Sequence, residues 1–167
     1  MKTISRIGTV LVFVLSLFSM GCSKDGDSPS PIFPSVSAES LQNAPEEIVL
    51  EDQEYVLETY LWRDFMPVSP PGGKPLIALI RVIEKNGDPI AADLQLKYLW
   101  IVYGQDIWFT TFTDETPPSP DNELHRIARD GPLWGPGVEV DVVVALKRGD
   151  RPMRLLRAPD QWIYRTD

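Results

Sequence analysis

The chain contains one cysteine, Cys22, and one histidine, His125, in 167 residues. A single cysteine cannot form a disulfide within the chain, a redox pair or a cysteine-ligated metal centre. Any Ser-His-Asp triad or histidine-based metal site would have to use His125. The sequence also lacks the Gly-x-Ser-x-Gly, Walker and Gly-x-Gly-x-x-Gly motifs. We therefore expect no enzyme activity, no cofactor and no metal site.

Long hydrophobic runs are also missing. The apolar N-terminal stretch extends from Ile7 to Met20 and is shorter than the ~20 residues that a membrane-spanning helix needs. Lys2 and Arg6 precede this stretch, and small residues follow it up to Cys22. A basic start, an apolar centre and a small-residue end are the three parts of a secretory signal.

The segment that ends at Cys22 resembles the signal peptide of bacterial lipoproteins. Gly21 and Cys22 match the end of that family's cleavage box, whereas Ser19 and Met20 replace its usual leucine and small residue. The resemblance implies that residues 1–21 are removed and that Cys22 receives acyl chains such as palmitate, which hold a protein firmly on a membrane. The alternatives are an ordinary secretory signal that is cleaved near the cysteine and a retained N-terminal anchor.

Basic residues are scarce in the mature chain. Removal of Lys2 and Arg6 leaves 14 basic against 24 acidic residues, a net charge of −10. Such a surface repels nucleic acids and anionic head groups, so we expect no nucleic-acid partner and membrane attachment through the lipid alone. Ser23 follows the cysteine where an Asp would retain a proteobacterial lipoprotein in the inner membrane. This resemblance favours the outer membrane, on its periplasmic or surface face.

Composition divides the mature chain into two parts. Residues 22–45 are rich in Ser and Pro, including Ser28-Pro29-Ser30-Pro31, and we interpret them as an extended tether. Residues 46–167 have the length of one domain. The boundaries predicted from sequence are therefore a signal peptide at 1–21, a lipidated tether at 22–45 and a domain at 46–167.

Period-2 patterning dominates the predicted domain. The clearest case is one apolar face with Glu139, Asp141 and Lys147 opposite it; the residues of that face are Val138, Val140, Val142, Val144 and Leu146. Seven or eight short strands punctuated by Pro and Gly predict an all-β, two-sheet sandwich that resembles an immunoglobulin-like or fibronectin-type domain without its disulfide. Residues 46–66 fit either a strand pair or a helix, with their aromatic residues favouring strands.

The five tryptophans all lie in the mature chain, and three of them are candidate binding residues. Trp100 alternates with Leu96 and Val102, which predicts a core position. Trp134 lies in a Gly/Pro-rich loop, where its ring either caps one end of the sandwich or offers a platform to a ligand. Trp62 and Trp108 cannot be assigned to a face. We therefore take Trp134, Trp108 and Trp62 as the possible binding residues.

These observations predict a non-catalytic envelope lipoprotein that binds an envelope protein or supports an assembly. The first alternative is a glycan-binding module that uses exposed aromatic side chains, and the second is a small hydrolase. A surface patch of Trp and Tyr on a sheet would favour glycan binding, whereas a cleft around His125 would favour hydrolysis.

Overall fold

The computed structural model describes residues 36–167. The predicted signal peptide, Cys22 and the first part of the predicted tether lie outside these residues. The described part contains one five-residue helix, α1 (Ala38–Gln42), and eight strands. The strands are β1 (Glu47–Leu50), β2 (Gln53–Asp64), β3 (Ile77–Glu84), β4 (Leu94–Tyr103), β5 (Asp106–Thr110), β6 (Glu123–Ala128), β7 (Glu139–Arg148) and β8 (Arg154–Thr166). The predicted β-rich class is confirmed.

The strands form a curled mixed sheet in the order β5-β4-β7-β8-β2-β3-β6, and β1 pairs with β2 outside this path. The first part of β8, from Arg154 to Trp162, pairs antiparallel with β7. Its last residues, from Ile163 to Thr166, pair in parallel with β2. This long strand thus joins the two halves of the sheet. The predicted arrangement of two separate immunoglobulin-like sheets is not confirmed.

Residues 46–66, which the sequence left open between strand and helix, are β1 and β2. Leu50 pairs with Gln53, so the hairpin turn contains only Glu51 and Asp52. Glu51 has a φ of 62°, the left-handed conformation that tight hairpin turns require. Among residues 36–167 no helix is long and apolar enough to span a membrane.

The main core lies inside the curl of the sheet. The predicted apolar face of β7 faces it, with Val142 and Val144 fully buried beside Val140 and Leu146. Residues from β1, β2, β3, β4, β6 and β8 complete the same cluster, together with Leu76. The alternation along β7 therefore predicted correctly which side chains face the interior.

A second apolar cluster lies on the outer side of β4 and β7, under α1. Ser37 caps this helix by accepting a hydrogen bond from the Ser40 amide. Leu41 and Ala44 pack in a cluster whose sheet residues are Trp100, Val102, Val143 and Ala145. Residues 38–44, part of the predicted tether, therefore pack on the sheet.

Trp100 is buried, as predicted, but in the outer cluster. The pairing of β4 with β7 shifts register between Leu96 and Tyr98. Leu96 points into the main core, whereas Trp100 and Val102 point to the outer cluster under α1. A β-bulge of this kind exchanges the two faces of a strand beyond the extra residue.

Candidate functional site

Four aromatic side chains lie together on the outer side of β2 and β8. Leu61 and Ile163 are fully buried, so the residues on either side of each point outward. We call the resulting surface the aromatic face; its members are Tyr60, Trp62, Trp162 and Tyr164.

Parallel pairing of β2 with β8 brings the rings of this face together. Trp62 lies opposite Tyr164 in the register. The ring centroids of Tyr60 and Tyr164 are 5.2 Å apart with 21° between the planes, and those of Tyr60 and Trp62 are 5.3 Å apart with 32° between the planes. Aromatic pairs at such distances contribute about 0.5–1.5 kcal/mol beyond the area they bury.

The aromatic face is open to solvent in the described part of the chain. Tyr60 is 41% exposed, Trp162 44% and Tyr164 45%, whereas Trp62 is half-buried. Strand β3 continues the apolar surface, because half-buried Leu79 and Ile77 lie opposite Tyr60 and Trp62. A contiguous exposed apolar surface of this kind marks an interaction site more often than scattered apolar residues do.

Charged residues border this apolar surface. Glu58 on β2 lies opposite Arg81 on β3, and their side chains form an ion pair with a 2.6 Å distance from Arg81 Nη2 to Glu58 Oε2. The next strand places His125 opposite Arg81, and His125 Nε2 pairs with Glu123. The site thus has an apolar centre and a polar edge.

His125 has no cleft of its own among the principal surface depressions of residues 36–167. Those depressions are lined by residues of β1, of the β7–β8 turn, and of the segments around Pro75 and Gly104. The imidazole and the Glu123 carboxylate are themselves mostly buried, with 11% and 18% of the side chains exposed. In the same part of the chain, no three His, Cys, Asp or Glu side chains are grouped to hold a metal ion.

The three tryptophans predicted from sequence do not form one site. Only Trp62 belongs to the aromatic face. Trp134 is half-buried, packs against the main core and lies 5.7 Å from Tyr103 between ring centroids. Trp108 is also half-buried against the core. Its ring lies so close to Gly131 that a Cβ atom added to this glycine would be 2.8 Å from the ring.

Comparison with known proteins finds no matching family model, curated protein or solved structure. A function therefore has to be argued from the residues themselves. Three of the four members of the aromatic face were not among the sequence candidates. The signal that could have found them is a repeated pattern of aromatic, aliphatic and aromatic residues, present as Tyr60-Leu61-Trp62 and again as Trp162-Ile163-Tyr164.

Proposed function

We propose that this chain is a bacterial envelope lipoprotein, anchored through Cys22, whose β domain binds another envelope protein through the aromatic face and performs no catalysis. The observation that carries the proposal is the exposure of Tyr60, Trp162 and Tyr164 on one surface. In this proposal the domain is a variant of the immunoglobulin-like sandwich, and the lipid holds it at the outer membrane.

The composition of the aromatic face supports a protein partner. Tyr and Trp are enriched at protein–protein interfaces, where they bury large areas at small cost in side-chain entropy. The Arg81–Glu58 pair at the border resembles the polar rim that surrounds the apolar centre of such interfaces. A partner that covers the apolar centre would leave this ion pair at the solvent edge, where it would contribute to orientation and selectivity.

The stacking of the rings argues against the glycan alternative. If Tyr60 and Tyr164 lay side by side in one plane, a centroid distance of 5.2 Å would bring their edge atoms closer than van der Waals contact permits. The rings must therefore overlap in an offset stack, and each covers part of the other's face. A sugar binds an aromatic platform through its open face, so this pair offers a poorer sugar platform than a protein contact surface. Glycan binding remains the second candidate, because the exposed Trp162 and Tyr164 belong to a surface patch of Trp and Tyr on a sheet, the feature that favours that function.

The first test places a photo-crosslinking amino acid at Tyr164 in the full chain in its native envelope. We expect one discrete protein adduct, which falls about five- to thirtyfold when Tyr60→Ala is added, because loss of a central aromatic contact costs on the order of 1–2 kcal/mol of binding. Tyr103, 39% exposed on β4, is the matched control position for the crosslinker. Adduct yield is read by immunoblot and mass spectrometry.

Three results would contradict protein binding at this face. The first is an equal adduct yield from positions 164 and 103, the second is a yield that Tyr60→Ala does not change, and the third is the absence of any adduct. Retention of the protein on purified peptidoglycan or envelope polysaccharide, lost in Tyr164→Ala, would replace the proposal with the glycan-binding function.

The second test concerns the anchor. Cys22→Ser is expected to abolish metabolic labelling by an alkyne analogue of palmitate, because the thiol is the acylation site, and to release the protein from the membrane fraction. The neighbouring substitution Ser23→Ala, which keeps the thiol, is expected to retain both. If Cys22→Ser still incorporates the label, or still sediments with membranes through high-salt and carbonate washes, the lipid anchor is wrong.

A further inference from the structure

Two of the four lysines of the described domain have no carboxylate partner. Lys74 pairs with Asp64 at 2.7 Å, and Lys85 pairs with Glu47 and Glu54 at 2.9 Å each. Lys97 and Lys147 form no ion pair within residues 36–167. The chain has 24 acidic against 16 basic residues, and yet neither of these two ammonium groups is neutralised by a carboxylate.

The fold places both unpaired lysines beside the same depression. The register shift between Leu96 and Tyr98 makes Lys97 the extra residue of a β-bulge in β4, and Lys147 lies on the paired strand opposite Gln95. Both lysines line a shallow cavity of about 380 Å³ on the surface. Bulges redirect a side chain at a defined position and occur frequently beside functional sites.

The lining of this depression contains cations and apolar surface but no acid. Its other residues are Tyr98, Arg151, Pro152 and Met153. Arg151 also contacts Glu51, at 2.8 Å between Nη2 and Oε1. Met153 is 44% exposed and Tyr98 is half-buried against the outer cluster. The depression therefore has a positive local potential on an acidic domain, which attracts an anion selectively to this point.

We propose that this depression binds the phosphate group of a ligand, with Lys97 and Lys147 on the phosphate oxygens and Met153 and Tyr98 against the apolar part of the ligand. Lysine ammonium groups bind phosphate as compact point charges with three donors each, which need no fixed orientation toward the phosphate oxygens. A phosphate would also relieve the repulsion between the two lysines. The site lies away from the aromatic face and does not depend on the protein-binding function proposed for that face; only the use of vesicles in its test rests on the proposed lipid anchor.

The test measures lysine acetylation rates by mass spectrometry on the full-length protein anchored in phosphatidylcholine vesicles. The probes are soluble sn-glycerol 3-phosphate and, separately, vesicles that also contain phosphatidylglycerol. With a probe at about ten times its dissociation constant, mass action leaves roughly a tenth of the site free, so Lys97 and Lys147 should react about tenfold more slowly. Lys74 and Lys85 in the same molecule serve as internal controls and should be unaffected.

Variants distinguish phosphate binding by these two lysines from a general electrostatic effect of the added anion. Lys147→Met is expected to remove the protection of Lys97, because the two cations hold one phosphate, whereas Lys85→Met removes the same charge elsewhere and should leave that protection intact. The reciprocal variant Lys97→Met, read at Lys147, provides a second test if the first does not fold.

Each outcome decides the proposal. Protection by glycerol phosphate identifies a soluble phosphate ester as a sufficient ligand, and protection only by phosphatidylglycerol identifies a lipid head group; both support the site. The proposal is overturned if neither probe protects the two lysines, if Lys74 and Lys85 are protected equally, or if Lys97 stays protected in Lys147→Met.

Discussion

Replacing Val142 by Asp is expected to unfold the β domain. Val142 is fully buried, and the register places it between Ile101 on β4 and Ala158 on β8, both of which are also buried. A carboxylate at this position would lose its hydration without gaining a hydrogen-bonding partner from these neighbours, at a cost of several kcal/mol. That cost is comparable to the whole free energy of unfolding of a small domain, about 5–15 kcal/mol.

The control substitution is Glu139→Ala on the same strand. Glu139 is exposed, so its truncation should leave the urea midpoint nearly unchanged when unfolding is followed by circular dichroism. A Val142→Asp variant that is folded in the absence of urea, with a midpoint no lower than that of Glu139→Ala, would show that β7 does not face the main core as described.

The position of Val142 was predictable because alternation over ten residues is a strong local signal. The burial of Val143 and Ala145 on the opposite side of β7 was not predictable from the sequence. The helix α1 covers them through Leu41, and a helix of five residues is too short to show a period of 3.6 in its sequence. Because the helix follows a Ser/Pro-rich stretch, the tether predicted from composition extends to residue 45 and includes residues that pack on the sheet.

Trp100 illustrates a second limit. Its burial follows from its size and apolar neighbours, but the face on which it is buried depends on the bulge between Leu96 and Tyr98. Residues 98–102 are all apolar or aromatic, so nothing local indicates the extra residue. A shift of one residue moves all later side chains to the other side of the sheet.

The aromatic face was not predicted, although both of its sequence segments have a recognisable pattern. Each triplet, Tyr60-Leu61-Trp62 and Trp162-Ile163-Tyr164, predicts a strand with two outward rings around a buried aliphatic residue. Their combination depends on the parallel pairing of β2 with β8. Pairing between segments so far apart in sequence is decided by the whole topology, and local patterns carry no information about it.

Arg63 on β2 is a buried cation, and its side-chain donors bond to backbone carbonyl oxygens. The residue is 3% exposed, and burial lowers the pKa of the guanidinium from its usual value. Nε donates to the Lys74 carbonyl at 2.9 Å, and Nη2 donates to the Gly72 carbonyl. Nη1 donates to the carbonyls of Leu133 at 3.1 Å and Gly135 at 2.6 Å. The side chain thus connects two loops, including the one that carries Trp134.

Arg63→Met is therefore expected to destabilise the domain by about 3–5 kcal/mol, because four carbonyl groups would lose their donor and a buried unsatisfied polar group costs about 1–3 kcal/mol, reduced where water reaches the loops. Arg63→Lys should recover only part of this loss, since one ammonium group cannot span the carbonyls of both loops. The measurements are urea midpoints and hydrogen exchange of the amides in residues 131–137, which should accelerate in Arg63→Met.

Arg165 provides the matched control. Both guanidinium groups lie over the Phe65 ring, at 5.0 Å for Arg63 and 4.2 Å for Arg165, but Arg165 is exposed and bonds only to Asp167 among the described residues. Arg165→Met should therefore leave both the midpoint and the exchange rates of residues 131–137 unchanged. If the two variants unfold at the same urea concentration, the contact with Phe65 accounts for whatever Arg63 contributes, and the hydrogen bonds to the two loops do not stabilise the domain.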